Sequence, residues 1–240
     1  GADIPRVPVA LCFAILHQRG AVELFIDPAA TASLSLGPQV TVQPPAALSA
    51  RLSQLTGTVR IDPASCPDAV ATLLHAAGCD LRHDKDPCVL PKACKNPVEI
   101  AGTKAAHLRD AGAMCEFLAW LDAQPANSLT EIDVVRALEG FRQATNALKD
   151  ISFDTICGAG PHGAIIHYRV TVETNLAIKQ GDLLLVDSGG QYLDGTTDIT
   201  RTIAMGAVST PEKAAFTRVL QGMIAMSQIR WPDGLKGRDL

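Results

Sequence analysis

At 240 residues and 47% hydrophobic content, the chain has room for one large domain or two small ones, each with its own core. A net charge of −4 argues against nucleic acid or anionic membrane as the main partner, and aromatics at 4% leave no base-stacking surface. Seven cysteines (12, 66, 79, 88, 94, 115, 157), an odd number without a Cys-x-x-Cys pair, argue against a disulfide framework or zinc knuckle and for reduced thiols in a cytoplasmic protein.

In chain order, residues 7–16 form an apolar run after Arg6 that is too short to span a bilayer and has Pro8 near its start. A buried strand is expected there instead. Strands over 9–16 and 21–26 flank the turn signal Gln18-Arg19-Gly20. Residues 46–55 carry helical spacing, 58–61 read as a strand, and 68–77 as a helix with Gly78 at its C-terminal cap. A further strand over 79–82 completes an α/β pattern. His17, His75 and His83 read as surface or satisfied histidines, since no acid–base cluster surrounds them.

Residues 84–97 concentrate proline and charge, as a linker does, so the domains are expected at 1–91 and 92–240. A long helix over 96–121 follows, including Ile100, Ala105, Leu108, Cys115, Leu118 and Leu121, with His107 on a charged face. Ser128-Leu129-Thr130-Glu131 has the form of a capping box opening a second helix to about Leu148. From Ile151 the chain turns strand-rich. Residues 158–163 read as a flexible loop and 164–170 as a strand carrying His167, with His162 facing the other way. Near the end, 212–229 carries Phe216, Val219, Leu220, Met223 and Ile224 at helical spacing, the pattern of a face packed on a sheet.

The chemistry concentrates in Leu183 to Val186, a strand-length apolar run ending in Asp187, and in Ile199 to Ala204, a second such run preceded by Asp198. A four-residue loop over 192–195, with Asp194-Gly195 as its turn signal, would set Asp187 opposite Thr200, whereas a two-residue Asp194-Gly195 loop would separate the aspartates too far. Asp198 is then a diagonal neighbour on the same face, roughly 7–8 Å away between backbones. Gly189 and Gly190 fall inside the strand, where glycine marks a bulge or close backbone approach. Two carboxylates so placed suit a hard cation. Spacing alone favours a solvated hairpin with two surface acids.

The run Leu183 to Thr202 closely resembles the metal-binding hairpin of the creatinase/aminopeptidase, or pita-bread, superfamily, and within it the aminopeptidase P family. Ser152-Phe153-Asp154-Thr155-Ile156 and Gly163-Ala164-Ile165-Ile166-His167-Tyr168 carry the same resemblance, as do Lys95 to Ile100 and His107 to Asp110. The resemblance implies an α/β (α+β) chain: a creatinase-like, non-catalytic N-terminal domain followed by part of a pita-bread metallopeptidase domain. It implies Xaa-Pro cleavage by metal-activated water at two divalent ions, expected to be Mn²⁺. Asp187 and Asp198 match metal ligands, and His167 matches an active-site histidine that hydrogen-bonds the substrate. The partners implied are peptides with penultimate proline, with a homodimer as the expected assembly.

The family's further ligands, one His and two Glu, find no match after Asp198, because 199–240 contains no His and Glu212 is its single Glu. The chain is therefore expected to be a fragment that is inactive alone. Prolidase and methionine aminopeptidase share the two aspartates, creatinase is a metal-free relative, and a non-catalytic binding module is the reading of a different class.

Overall fold

A computed structural model describes residues 3–239, which divide after Gly102 into two compact units. That boundary lies inside the helix Pro97–Asp122. In the first unit, β1 (Phe13–Leu16), β2 (Val22–Phe25) and β3 (Val40–Gln43) form a sheet in that order, β1 antiparallel and β3 parallel to β2. A helical turn, α1 (Leu48–Leu52), leads to β4 (Thr58–Ile61), α2 (Asp68–Ala76) and β5 (Asp80–His83), with β4 and β5 paired in parallel.

Gly78 ends α2 as its position suggests. Its φ of 79° is left-handed, and the Gly78 and Cys79 N–H groups donate to His75 and Leu74 carbonyls, a Schellman closure. Leu52, Ile61, Leu74 and Cys79 make the core of this unit. Residues 7–16 are not a buried strand. Only 13–16 are extended, β1 is an edge strand, and Leu11, Phe13 and Leu16 are exposed, Ile15 alone of that strand packing on the core. The segment expected as a linker contains one short helix, α3 (Val89–Ala93).

The second unit is built on α4 (Pro97–Asp122) and α5 (Glu131–Ala144). There follow β6 (Asp150–Ile151), β7 (Ile156–Ala159), β8 (Leu183–Ser188), β9 (Gly190–Gln191), β10 (Ile199–Ala204) and α6 (Thr210–Gln228). The sheet runs β10-β8-β7, antiparallel throughout. Met114, Phe117 and Leu121 of α4, with Val134 and Leu138 of α5, pack on Cys157, Leu184 and Val186. Alternation along β8 thus sends Leu184, Val186 and Ser188 toward the helices and Asp187 to the other face. Among the described residues no helix is long and apolar enough to cross a membrane.

Three local readings need correction. The capping box of α5 is Thr130 with Asp133, their side chains and backbones bonded reciprocally, so Glu131 is the first helical residue and not a cap partner. Its helix ends at Ala144, short of Leu148. On α4 the buried stripe is Ala106, Asp110, Ala113, Met114, Phe117 and Leu121, while Ile100, Leu108 and Cys115 are exposed. Finally, the apolar face of α6 is uncovered among the described residues: Phe216, Val219, Leu220, Met223 and Ile224 are all exposed. Its first turns line an open groove of about 280 Å³ with Leu183, Thr202 and Ala204.

Gly189 lies against the backbone of Thr197. A Cβ there would overlap the Thr197 carbonyl oxygen and the Ser152 hydroxyl, which itself donates to that carbonyl at 3.0 Å. Gly189→Ala is therefore expected to destabilise the unit by roughly 1–3 kcal/mol or more, the usual cost of overpacking. Thermal denaturation checks it, and an unchanged melting temperature would contradict the close approach.

Candidate metal centre

The hairpin register is the one the loop count requires: Asp187 pairs with Thr200 and Ser188 with Ile199. Tyr192 N–H donates to the Gly195 carbonyl at 2.9 Å, and a bridge joins Gln191 to Thr196. Asp187 and Asp198 are brought together as expected. Desolvation first, and the adjacent Asp187 charge second, hold the Asp198 carboxyl above its ordinary value. Asp187 Oδ1 is buried and has no hydrogen-bond partner in the protein. An orphaned buried carboxylate oxygen beside a second carboxylate is unfavourable by itself, and an oxygen-seeking cation relieves both problems. Asp187 and Asp198 therefore fit a divalent ion. Among the described residues no group of three His, Cys, Asp or Glu is gathered as a metal site.

His167 is not on a strand. Residues Gly160–Ala164 form a 3-10 helix, and 165–168 make a turn closed by Tyr168 N–H donating to the Ile165 carbonyl at 3.2 Å. His167 sits at its tip, exposed, with φ of 55°. The apolar text of 164–170 suggested a strand, but Gly160-Pro161 and Gly163 favour a tight bend. Gly158 permits it: a Cβ there would lie 2.8 Å from the Gly163 nitrogen, so only glycine lets the 3-10 helix fold back on β7. His162, set aside on strand parity, instead places Nδ1 2.9 Å from Glu131 Oε1.

Behind the hairpin lies a polar network. Asp110 on α4 and Arg142 on α5 are wholly buried, and Arg142 Nε and Nη2 donate to Asp110 at 2.7 and 3.1 Å. The Tyr192 hydroxyl donates to the same carboxylate at 2.6 Å. Burial alone would raise the Asp110 carboxyl, yet Arg142 and Tyr192 hold it below its ordinary value. Thr197 adds a hydroxyl to Asp110, and its Oγ1 accepts from Gly190 N–H at 2.9 Å. Outside, Arg109 pairs with Asp194 at 2.9 Å and lies 5.3 Å over the Tyr192 ring. The loop joining the two aspartates is thus pinned to α4, and Asp110 links that attachment to Arg142 of α5. The signal for this network was in the sequence: Asp110 falls on the apolar stripe of α4, and Glu131 and Arg142 fall with Val134 and Leu138 on that of α5. A charge at a core position implies a partner.

A separate α/β unit, followed by a helix-backed antiparallel sheet that presents paired aspartates, defines a two-part architecture of creatinase-like type. Comparison with known families gives it a name. Metallopeptidase family M24 matches residues 101–240, and the Creatinase/Prolidase N-terminal domain matches residues 1–99. The chain belongs to metallopeptidase family M24. Aminopeptidase P2 of Arabidopsis thaliana is 47% identical over 155 residues, 64% of this chain and 22% of that protein. Xaa-Pro aminopeptidase 1 of Dictyostelium discoideum is 37% identical over 252 residues, 100% of this chain and 39% of that protein. The X-prolyl aminopeptidase structure from Caenorhabditis elegans, described as a cytosolic enzyme with a di-nuclear active site, superposes with a TM-score of 0.83 at 27% identity. It covers 98% of this chain and 40% of that one. The chain thus spans well under half the length of these relatives.

Proposed function

We propose that this protein is a cytoplasmic metal-dependent aminopeptidase that removes the N-terminal residue from peptides with proline in second position, with manganese as its metal. The observation that carries the reading is the unpartnered buried oxygen of Asp187 beside the raised carboxyl of Asp198, in a chain 37% identical to an Xaa-Pro aminopeptidase. Asp187 and Asp198 would hold the ions. Divalent ions in such a site lower the pKa of a bound water and polarise a carbonyl. His167, exposed at its turn, is assigned to donate a hydrogen bond to the substrate carbonyl oxygen. The amide before proline has no N–H, so recognition must come from the carbonyl and the ring, which suits this division of labour.

The test compares two tripeptides on the full-length protein, one with proline and one with alanine in second position, together with an Xaa-Pro dipeptide. Cleavage confined to the proline tripeptide supports the reading. Preference for the dipeptide would make the protein a prolidase-type dipeptidase, and no cleavage of any would leave a binding module.

His167→Ala is expected to keep its metal while turnover falls about 10²–10³-fold, the usual cost of losing one transition-state hydrogen bond. Elemental analysis alongside kcat checks this. Loss of the metal as well would make His167 a ligand.

A further inference from the structure

We propose that Glu131 is the positioning residue of this site, a buried clamp that holds residues 160–176 in the shape that presents His167; the functional side of this rests on the peptidase reading above. Glu131 is wholly buried at the first position of α5. Its Oε1 accepts from the Ala159 N–H at 2.8 Å and from His162 Nδ1 at 2.9 Å. Oε2 accepts from the Leu176 N–H at 3.0 Å and from the Tyr168 hydroxyl at 3.2 Å. One carboxylate thereby holds both ends of the segment, its 3-10 helix, and the residue next to His167.

His167 itself shows why such a clamp matters. His167 is one of four non-glycine residues in the left-handed region among the described residues, a backbone state that is uncommon even for histidine and that its surroundings must hold. Nothing about the His167 side chain enforces that conformation, because it is exposed. The constraint comes from the neighbour: the Tyr168 ring is buried, lies tilted with its centroid 4.3 Å from that of His162, and its hydroxyl reaches Glu131 Oε2 at 3.2 Å and Thr174 Oγ1 at 3.1 Å. A group serving only as core filling would be replaceable by an apolar side chain. Glu131 instead directs its acceptors at one segment, and a carboxamide of the same shape cannot reproduce this. Glutamine keeps one acceptor oxygen and turns an NH₂ donor toward groups that themselves donate.

The test uses the full-length, metal-loaded protein with Glu131→Gln, read by hydrogen exchange and by kinetics. Exchange is expected to quicken over 160–176 while 183–204 keeps wild-type protection. Metal content and KM should stay within about twofold, with kcat down about 10–100-fold, bounded by the loss of the histidine's own contribution. The double variant Glu131→Gln/His167→Ala should be no slower than His167→Ala alone, since both remove the same interaction. Multiplied losses in the double variant, or wild-type protection over 160–176, would overturn the proposal. Should Glu131→Gln fail to fold, Tyr168→Phe deletes the hydroxyl that reaches both Glu131 and Thr174 and keeps the ring, and Thr174→Val, expected to leave exchange over 165–169 near wild type, separates the two contacts. Faster exchange around 165–169 with a smaller fall in kcat supports the clamp, and wild-type behaviour in both refutes it. A wild-type protein that cleaves no Xaa-Pro peptide would remove the peptidase reading, and the exchange pattern would still decide whether Glu131 holds the segment.

Discussion

Asp198→Asn in the full-length protein is expected to abolish Xaa-Pro cleavage and metal occupancy together. The substitution keeps volume and one oxygen but removes a negative charge from a pair that already repels: the Asp198 carboxyl is raised by desolvation and by Asp187. In the apoprotein that removal is relieving, so the variant should fold at least as well as wild type. With a dication the sign reverses, because each lost charge leaves the ion less neutralised and hard ions depend on anionic oxygens. Opposite effects on fold and on metal separate a ligand from a merely structural acid. Normal turnover with normal metal content in this variant would refute the assignment of Asp198.

The second large effect is expected from Arg142→Ala. Asp110 and Arg142 are both wholly buried, and removing one member strands the other's charge away from water. Breaking such a pair costs about 3–5 kcal/mol, a large part of the roughly 5–15 kcal/mol that holds a typical domain together. The pH dependence carries a distinct sign. In the wild type the Asp110 carboxyl is held below its ordinary value against the opposing effect of burial, so its contribution is present above the ordinary carboxylate range and is lost as pH falls through the folded value. Without Arg142, burial dominates and the charged form is disfavoured. The variant's deficit is then largest near neutrality and narrows as acid protonates Asp110. Denaturant titrations at several pH values check this; a deficit under about 1 kcal/mol, or one that widens in acid, would contradict the account.

How far the sequence could be read differs from element to element, for physical reasons. The hairpin register was legible once the four-residue loop over 192–195 is taken over a two-residue one, because a period of two then puts both aspartates on one face. The strand over 58–61 and the helix beginning at Asp68 were legible from propensity and from Gly78. The His167 segment was not. Its apolar text fits a strand, and the turn it forms depends on Glu131, which lies near in space but not in sequence.

Overlapping capping signals at Ser128 and Thr130 hid Glu131 further: three-residue spacing fits both, and only the actual helix start decides. The faces of β1 and α6 illustrate another limit. Periodicity shows that a helix or strand has an apolar side, while what covers that side is a property of tertiary structure.

The central claim, that the hairpin is one half of a metal centre that performs peptide cleavage, is tested most directly by stripping and restoring the metal. The full-length protein would be dialysed against chelator, assayed on a proline-containing tripeptide, and titrated with Mn²⁺ while bound metal and turnover are followed together. Turnover should vanish in the stripped protein and return in step with occupancy up to two ions per chain. Undiminished cleavage by metal-free protein would contradict the account.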